Sequence, residues 1–202
     1  MLGKTHMVVG IATTMAVTQP ESVPELVLAA GGGAFGALIS DIDVGTSESH
    51  HDADKIVMLS VIVLLTVFAL DHFFHTGIID RAVRGSGYGR IIVGILLFIC
   101  ICAFGKEQPH RSFMHSFLAL ALLCFAIGLV WKEAVVYFAA GFISHLATDV
   151  CNKKKVRLLY PLKGGVSLRL FHAYGLANQL FFVAGSAMVV LEIGLFAVRM
   201  FQ

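Results

Sequence analysis

Gly141-Phe142-Ile143-Ser144-His145-Leu146-Ala147-Thr148-Asp149 closes a long apolar run, yet carries a histidine and an aspartate four residues apart. On a helix that spacing puts both side chains on one face, one turn apart. An imidazole and a carboxylate stacked this way can grip one divalent cation, with the rest of the shell coming from elsewhere in the chain. The competing reading is a satisfied histidine with Asp149 as a helix-end polar group. Ionisable residues inside or at the rim of membrane helices are rare and usually functional, which favours a site.

The apolar lead-in to that stretch is one of several, and together they set the fold class. Of 202 residues, 57% are hydrophobic and 14% charged, and the mean hydropathy is +0.84. An ordinary soluble domain is excluded, and so is disorder. The expectation is an all-α, polytopic transmembrane helical bundle of six to seven helices, forming a single domain over residues 1–202. A net charge of +2 gives no reason to expect a nucleic-acid partner. Cys100, Cys102, Cys124 and Cys151 lack the CxxC spacing of a zinc site, and three lie inside apolar runs as small packing residues.

Residues 3–17 open with Gly3-Lys4-Thr5-His6 and continue apolar, short for a full crossing. Gln19-Pro20-Glu21-Ser22-Val23-Pro24 is a breaker before a helix at 25–40, whose Gly31-Gly32-Gly33-Ala34-Phe35-Gly36 gives a smooth face for close helix contact. That helix runs into Ser40-Asp41-Ile42-Asp43 and a polar loop with His50, His51, Asp52 and Asp54. Further helices are expected at 56–70, ending near His72 and His75, and at 91–105. Lys106-Glu107-Gln108-Pro109 breaks the chain before His110-Arg111-Ser112-Phe113-Met114-His115-Ser116. A fifth helix to Trp131, a sixth at 134–149, a basic loop and a last helix at 176–200 complete the chain.

If all seven runs cross, ten lysines and arginines fall on one face and five on the other, which puts the first face in the cytoplasm. His6, Asp41, Asp43, His110, His115, His145 and Asp149 all fall at helix ends on that same face. Scattered structural polar residues would not sort this way. One site at the cytoplasmic boundary of the membrane is the simplest account.

At these residues the chain resembles the YdjM-like family, LexA-regulated membrane-bound proteins regarded as metal-dependent hydrolases. The resemblance runs through His6, Gly36-Ala37-Leu38-Ile39-Ser40-Asp41-Ile42-Asp43, His110-Arg111-Ser112-Phe113-Met114-His115-Ser116, Gly141 to Asp149 and Leu158-Leu159-Tyr160-Pro161. It covers residues 3 to about 165 and implies hydrolase activity in a bacterial inner membrane, within an SOS response. Two positions depart from the family pattern. Ser40 stands where the family has proline, and Met114 where it has threonine; neither removes a candidate ligand.

Imidazoles and carboxylates without thiolates suit Zn²⁺, and also Mn²⁺ or Fe²⁺. A bound cation lowers the pKa of a water toward neutrality and so supplies a hydroxide nucleophile. The metal-ligand candidates are His6, Asp41, Asp43, His115, His145 and Asp149. Asp43, His110 and Arg111 are the catalytic candidates: Asp43 as base or as a partner orienting an imidazole, His110 as a partner, Arg111 as an anion clamp or an ordinary boundary arginine. Asp41 and Asp43 diverge on a regular helix, so both reach one ion only from an irregular helix end. His110 and His115 converge only if His110 precedes its helix.

The expected function is a metal-dependent hydrolase acting on an ester or phosphoester of a lipid-linked or amphipathic substrate, with membrane lipids as partners. The alternatives are a metal-cation or solute transporter and a non-catalytic stress-response membrane protein. Transporters keep ionisable residues near the bilayer midplane on broken helices, whereas these gather at helix ends.

Overall fold

The computed structural model describes residues 1–43, 72–73, 77, 87–172 and 175–200. The described residues form six α-helices and no strands: α1 (Gly3–Thr18), α2 (Val23–Ile39), α3 (Tyr88–Lys106), α4 (Phe117–Val130), α5 (Ala134–Val150) and α6 (Leu176–Met200). The expected helix at 56–70 falls outside them, as do His50, His51, Asp52, Asp54 and His75. Of His72, the described contact is an edge-on one with the Phe73 ring.

Local signals set the helix ends. Gln19 takes the left-handed conformation (φ 42°) that stops α1. Ser22 caps α2 by accepting from the Glu25 amide, and Pro24 sits in the first turn, where its missing N–H costs nothing. Ser116 caps α4 by accepting from the Ala119 amide at 3.1 Å. The far end of α2 does not stop cleanly. It tightens into a 3-10 turn over Ser40–Asp43, the irregular end that two aspartates spaced by one residue require.

Glycine brings α1, α2 and α5 together. A Cβ at Gly36 would run into the Phe138 carbonyl, one at Gly141 into the Gly33 carbonyl, and one at Gly10 into Ala37 and Gly33. Backbones this close gain van der Waals contact that larger side chains would forfeit, the usual glue between helices in lipid. Phe138, Phe142, Leu123, Ala126, Phe113 and Met114 fill the space between this trio and the α3–α4 pair. Gly185 brings α6 against Val8 and Val9 of α1, and Asn178 accepts from the Leu2 amide at 3.1 Å.

By length and composition, two helical stretches are long and apolar enough to cross a membrane, Val23–Asp43 and Leu176–Met200. Val93–Lys106, Phe117–Val130 and Ala134–Val150 are apolar but shorter. α6 is apolar and largely uncovered, the character of a lipid-facing helix. The chain direction decides what meets at one end of the bundle. α1 and α4 begin there, while α2, α3 and α5 finish there.

Candidate metal centre

Five segments supply the polar cluster at that end. His6 comes from the first turns of α1, Asp41 and Asp43 from the 3-10 turn after α2, and His145 and Asp149 from α5. His110 and Arg111 lie in the irregular segment after α3, and His115 closes a second 3-10 turn, Phe113–His115, just before α4. His6, His115, His145 and Asp149 are each 0–1% exposed; the Asp41 side chain is 25% exposed and so forms the open edge.

Four donor atoms from three segments nearly touch. His115 Nε2 lies 3.2 Å from His145 Nε2, 3.5 Å from Asp41 Oδ1 and 3.6 Å from Asp149 Oδ2. His145 Nε2 lies 3.6 Å from Asp41 Oδ1 and 3.9 Å from Asp149 Oδ2. Tetrahedral ligands bound at about 2.0–2.2 Å stand roughly 3.3–3.6 Å from each other, so this is the spacing of a coordination shell. His6 adds a fifth donor. Its ring stacks on His145 at 3.9 Å, and its Nε2 lies 3.4 Å from Asp149 Oδ1, buried without a hydrogen-bond partner.

The outer nitrogen of each ring fixes what the inner one presents. His145 Nδ1 stands 2.6 Å from the Ala37 carbonyl, which only accepts, so Nδ1 carries the proton and Nε2 a lone pair. His6 Nδ1 stands 3.0 Å from Thr148 Oγ1, whose own hydrogen goes to the Ser144 or His145 carbonyl, so this Nδ1 donates as well. His115 Nδ1 faces Asp43 Oδ2 at 3.3 Å. These tautomers are assigned from the partners. His115 Nε2 is thus ringed by acceptors alone: a lone pair on His145 and two carboxylates. Asp149 already meets two cations, the Arg111 guanidinium at 3.0 Å from Oδ2 and the Met1 ammonium at 3.2 Å from Oδ1; between His115, His145 and Asp41 a proton or a further cation would complete the charge balance. Burial pushes the His115 imidazole down, but Asp41 and Asp43, bonded to it and charged, outweigh burial and hold it up to about 9.

Asp43 lies behind the His115 ring. Its Oδ1 takes His110 Nδ1 at 2.8 Å, and its Oδ2 takes the Arg111 amide at 3.2 Å besides facing His115. It bridges a buried imidazole to one 36% exposed. Asp41, Asp43, His110 and His115 also bring donor atoms within 4.8 Å of one another, as do His6, His145 and Asp149. The two groups meet where His115 Nε2 and His145 Nε2 lie 3.2 Å apart, and either could hold a metal ion.

Arg111 is held through both terminal nitrogens. Its Nη2 pairs with Asp149 Oδ2 at 3.0 Å, and its Nη1 donates to the Lys154 carbonyl at 2.9 Å. Its Nε is buried without a partner. The backbone is left-handed there (φ 65°), a conformation that costs of order 1 kcal/mol for a residue with a Cβ and is held by its surroundings. The Asp43 carboxylate holds the Arg111 amide, and the Arg157 amide donates to the Arg111 carbonyl at 3.0 Å.

All eight residues singled out in the sequence therefore lie in one cluster. Contributors unrecognised there include the Met1 ammonium, 3.2 Å from Asp149 Oδ1, and three others. Thr148 orients His6, the Ala37 carbonyl orients His145, and Asn152, 2% exposed, reaches toward Asp149 Oδ1 at 3.5 Å. Thr148 follows His145 by three residues on α5, so helical spacing was its signal; Asn152 lies in the turn beyond Val150. A backbone carbonyl leaves no such trace.

The family described as YdjM inner membrane protein matches residues 1–201 of the chain. No curated protein and no solved structure matches it.

Proposed function

We propose that this chain, which belongs to the YdjM inner membrane protein family, is a membrane-bound metal-dependent hydrolase. Its substrate class is an ester or phosphoester of a lipid-linked or amphipathic molecule. The observation that carries the reading is the ring of lone pairs and carboxylates facing His115 Nε2, spaced 3.2–3.6 Å from it. His6, Asp41, His115, His145 and Asp149 hold the ion, Zn²⁺ or otherwise Mn²⁺ or Fe²⁺. When bound, such a cation supplies Lewis acidity and a water acidified toward neutral pH.

The other residues take roles that follow from their contacts. Asp43 orients His115 through Nδ1 and receives or returns a proton through His110 Nδ1, which stands at the solvent edge. Arg111, anchored through Nη1 on the Lys154 carbonyl and Nη2 on Asp149, keeps its buried, unpartnered Nε–H for an anionic oxygen of the substrate. Asp41, as the open edge, is where substrate and water enter.

The chain crosses the bacterial inner membrane six or seven times, with the site on the cytoplasmic face; the excess of lysine and arginine on that side supports the orientation. A site at helix ends favours surface chemistry over a transport path through the midplane. The test is elemental analysis of purified protein, followed by a screen of phospholipids and prenyl phosphates. A His145→Ala, Asp149→Ala protein that still folds is expected to lose the metal and the activity; unchanged metal content overturns the reading.

A further inference from the structure

Between Asp149 and Glu192 the chain has no acidic residue. The segment from Asn152 to His172, which joins α5 to α6, holds six of the fifteen lysines and arginines. Lys153, Lys154, Lys155, Lys163 and Arg169 are exposed, with Lys153 Nζ 2.9 Å from His172 Nε2. Between these cations stand bare aliphatic side chains: Leu159, Leu162, Leu168 and Leu170 are each 58–66% exposed, and Val166 48%. A loop that only kept a topology would need the charges but not the leucines. In water the leucines carry an unfavourable patch, whereas at a lipid headgroup boundary they reach the acyl region while the lysines stay among phosphates.

This lobe is built, not slack. Val156 and Val166 exchange a pair of backbone hydrogen bonds at 2.9 Å each, and Ser167 Oγ donates to the Asn152 carbonyl. It is also stitched to the metal centre's walls. Leu168 and Leu170 donate their amides to the Val150 and Cys151 carbonyls at 2.8 and 3.0 Å, and Phe117 donates to Leu158 at 3.0 Å. The Lys154 carbonyl holds Arg111, and the Arg157 amide holds its backbone.

We infer that the Asn152–His172 lobe is an anionic-lipid docking surface: its leucines insert into the leaflet on the metal-centre side, and its cations select anionic phospholipid headgroups. This is independent of any hydrolytic activity. Basic residues at an anionic bilayer surface each contribute roughly a fivefold preference, which salt screens.

The test uses the full chain in nanodiscs, carrying Leu168→Trp in a Trp131→Phe background. The discs contain phosphatidylcholine with a minor share of brominated lipid, either phosphatidylglycerol or phosphatidylcholine. Tryptophan quenching is expected with both brominated lipids, several-fold stronger with the anionic one. That preference should shrink at high salt and vanish when Lys153, Lys154, Lys155, Lys163 and Arg169 are all changed to glutamine. Salt dependence in the protein without the glutamine changes keeps the test decisive if that variant fails to fold. No quenching from either lipid, or equal quenching from both at low salt, overturns the inference. So does loss of quenching on adding a soluble oligonucleotide, which would give the surface to another polyanion.

Discussion

The two ends of the same helices are built on different physics. At the metal-centre end, bonds with direction fix each ring: an Ala37 carbonyl, a Thr148 hydroxyl and an Asp43 carboxylate, each toward one imidazole nitrogen. At the other end, Phe35, Gly94, Phe98, Ala126, Val130 and Trp131 line an open apolar cavity of about 260 Å³ with no polar lining. Contacts without direction tolerate a gap, whereas a coordination shell does not. Precision in this molecule is local, set by where buried polar atoms must be satisfied.

The sharpest way to break that contrast is at the shell itself. His145→Ala alone should abolish stoichiometric metal binding while the helical signal stays, measured by elemental analysis and circular dichroism. Retained metal would mean that the ring is held for packing alone. Asp43→Asn keeps the shape but weakens the orienting contact, and a roughly 10–100-fold loss in metal affinity by competition titration is expected. Gly141→Val drives a side chain into the Gly33 backbone and should cost at least about 2 kcal/mol in reversible unfolding, since overpacking a tight contact is not relieved by rotamer change. At the apolar end, Ile127→Ala borders a gap that already exists. It should cost about 2 kcal/mol, the low end for such a truncation, and leave metal content untouched.

A pH experiment sharpens the same contrast. His115, ordinarily near 6.5 and held up to about 9, keeps a proton at neutral pH in the ion-free protein. An incoming cation must displace that proton from Nε2, so metal affinity should rise as pH climbs toward about 9. Calorimetry in buffers of different ionisation enthalpy would show the proton released. The ion-free fold has the opposite dependence. The contribution of His115 is complete below about 6.5 and is lost as pH rises through about 9.

Much of this was legible in residue order. The Gln19–Pro24 breaker and the glycine run at 31–36 mark a helix boundary and a close contact that the fold uses, whereas the caps at Ser22 and Ser116 emerge only in the structure. The candidate ligands were legible because buried imidazoles and carboxylates at helix ends are costly without a purpose. The partition of roles was not. Asp41 and Asp43 look alike in sequence, and only the 3-10 turn sends one inward and the other toward His110. Arg111 was open between two readings because its partner, Asp149, lies on another helix. The number of crossings also stays beyond composition: α4 and α5 are apolar but only 14 and 17 residues long.

The Ala37 contact has a consequence for how the centre could be read from a distance. The carbonyl that steadies His145 belongs to the last turns of α2, and Asp41 hangs from the same helix four residues on. Filling the shell would therefore tug the tail of α2 from two sides at once. Slowed deuterium uptake along residues 36–43 would then count occupied molecules without any probe attached at the ion.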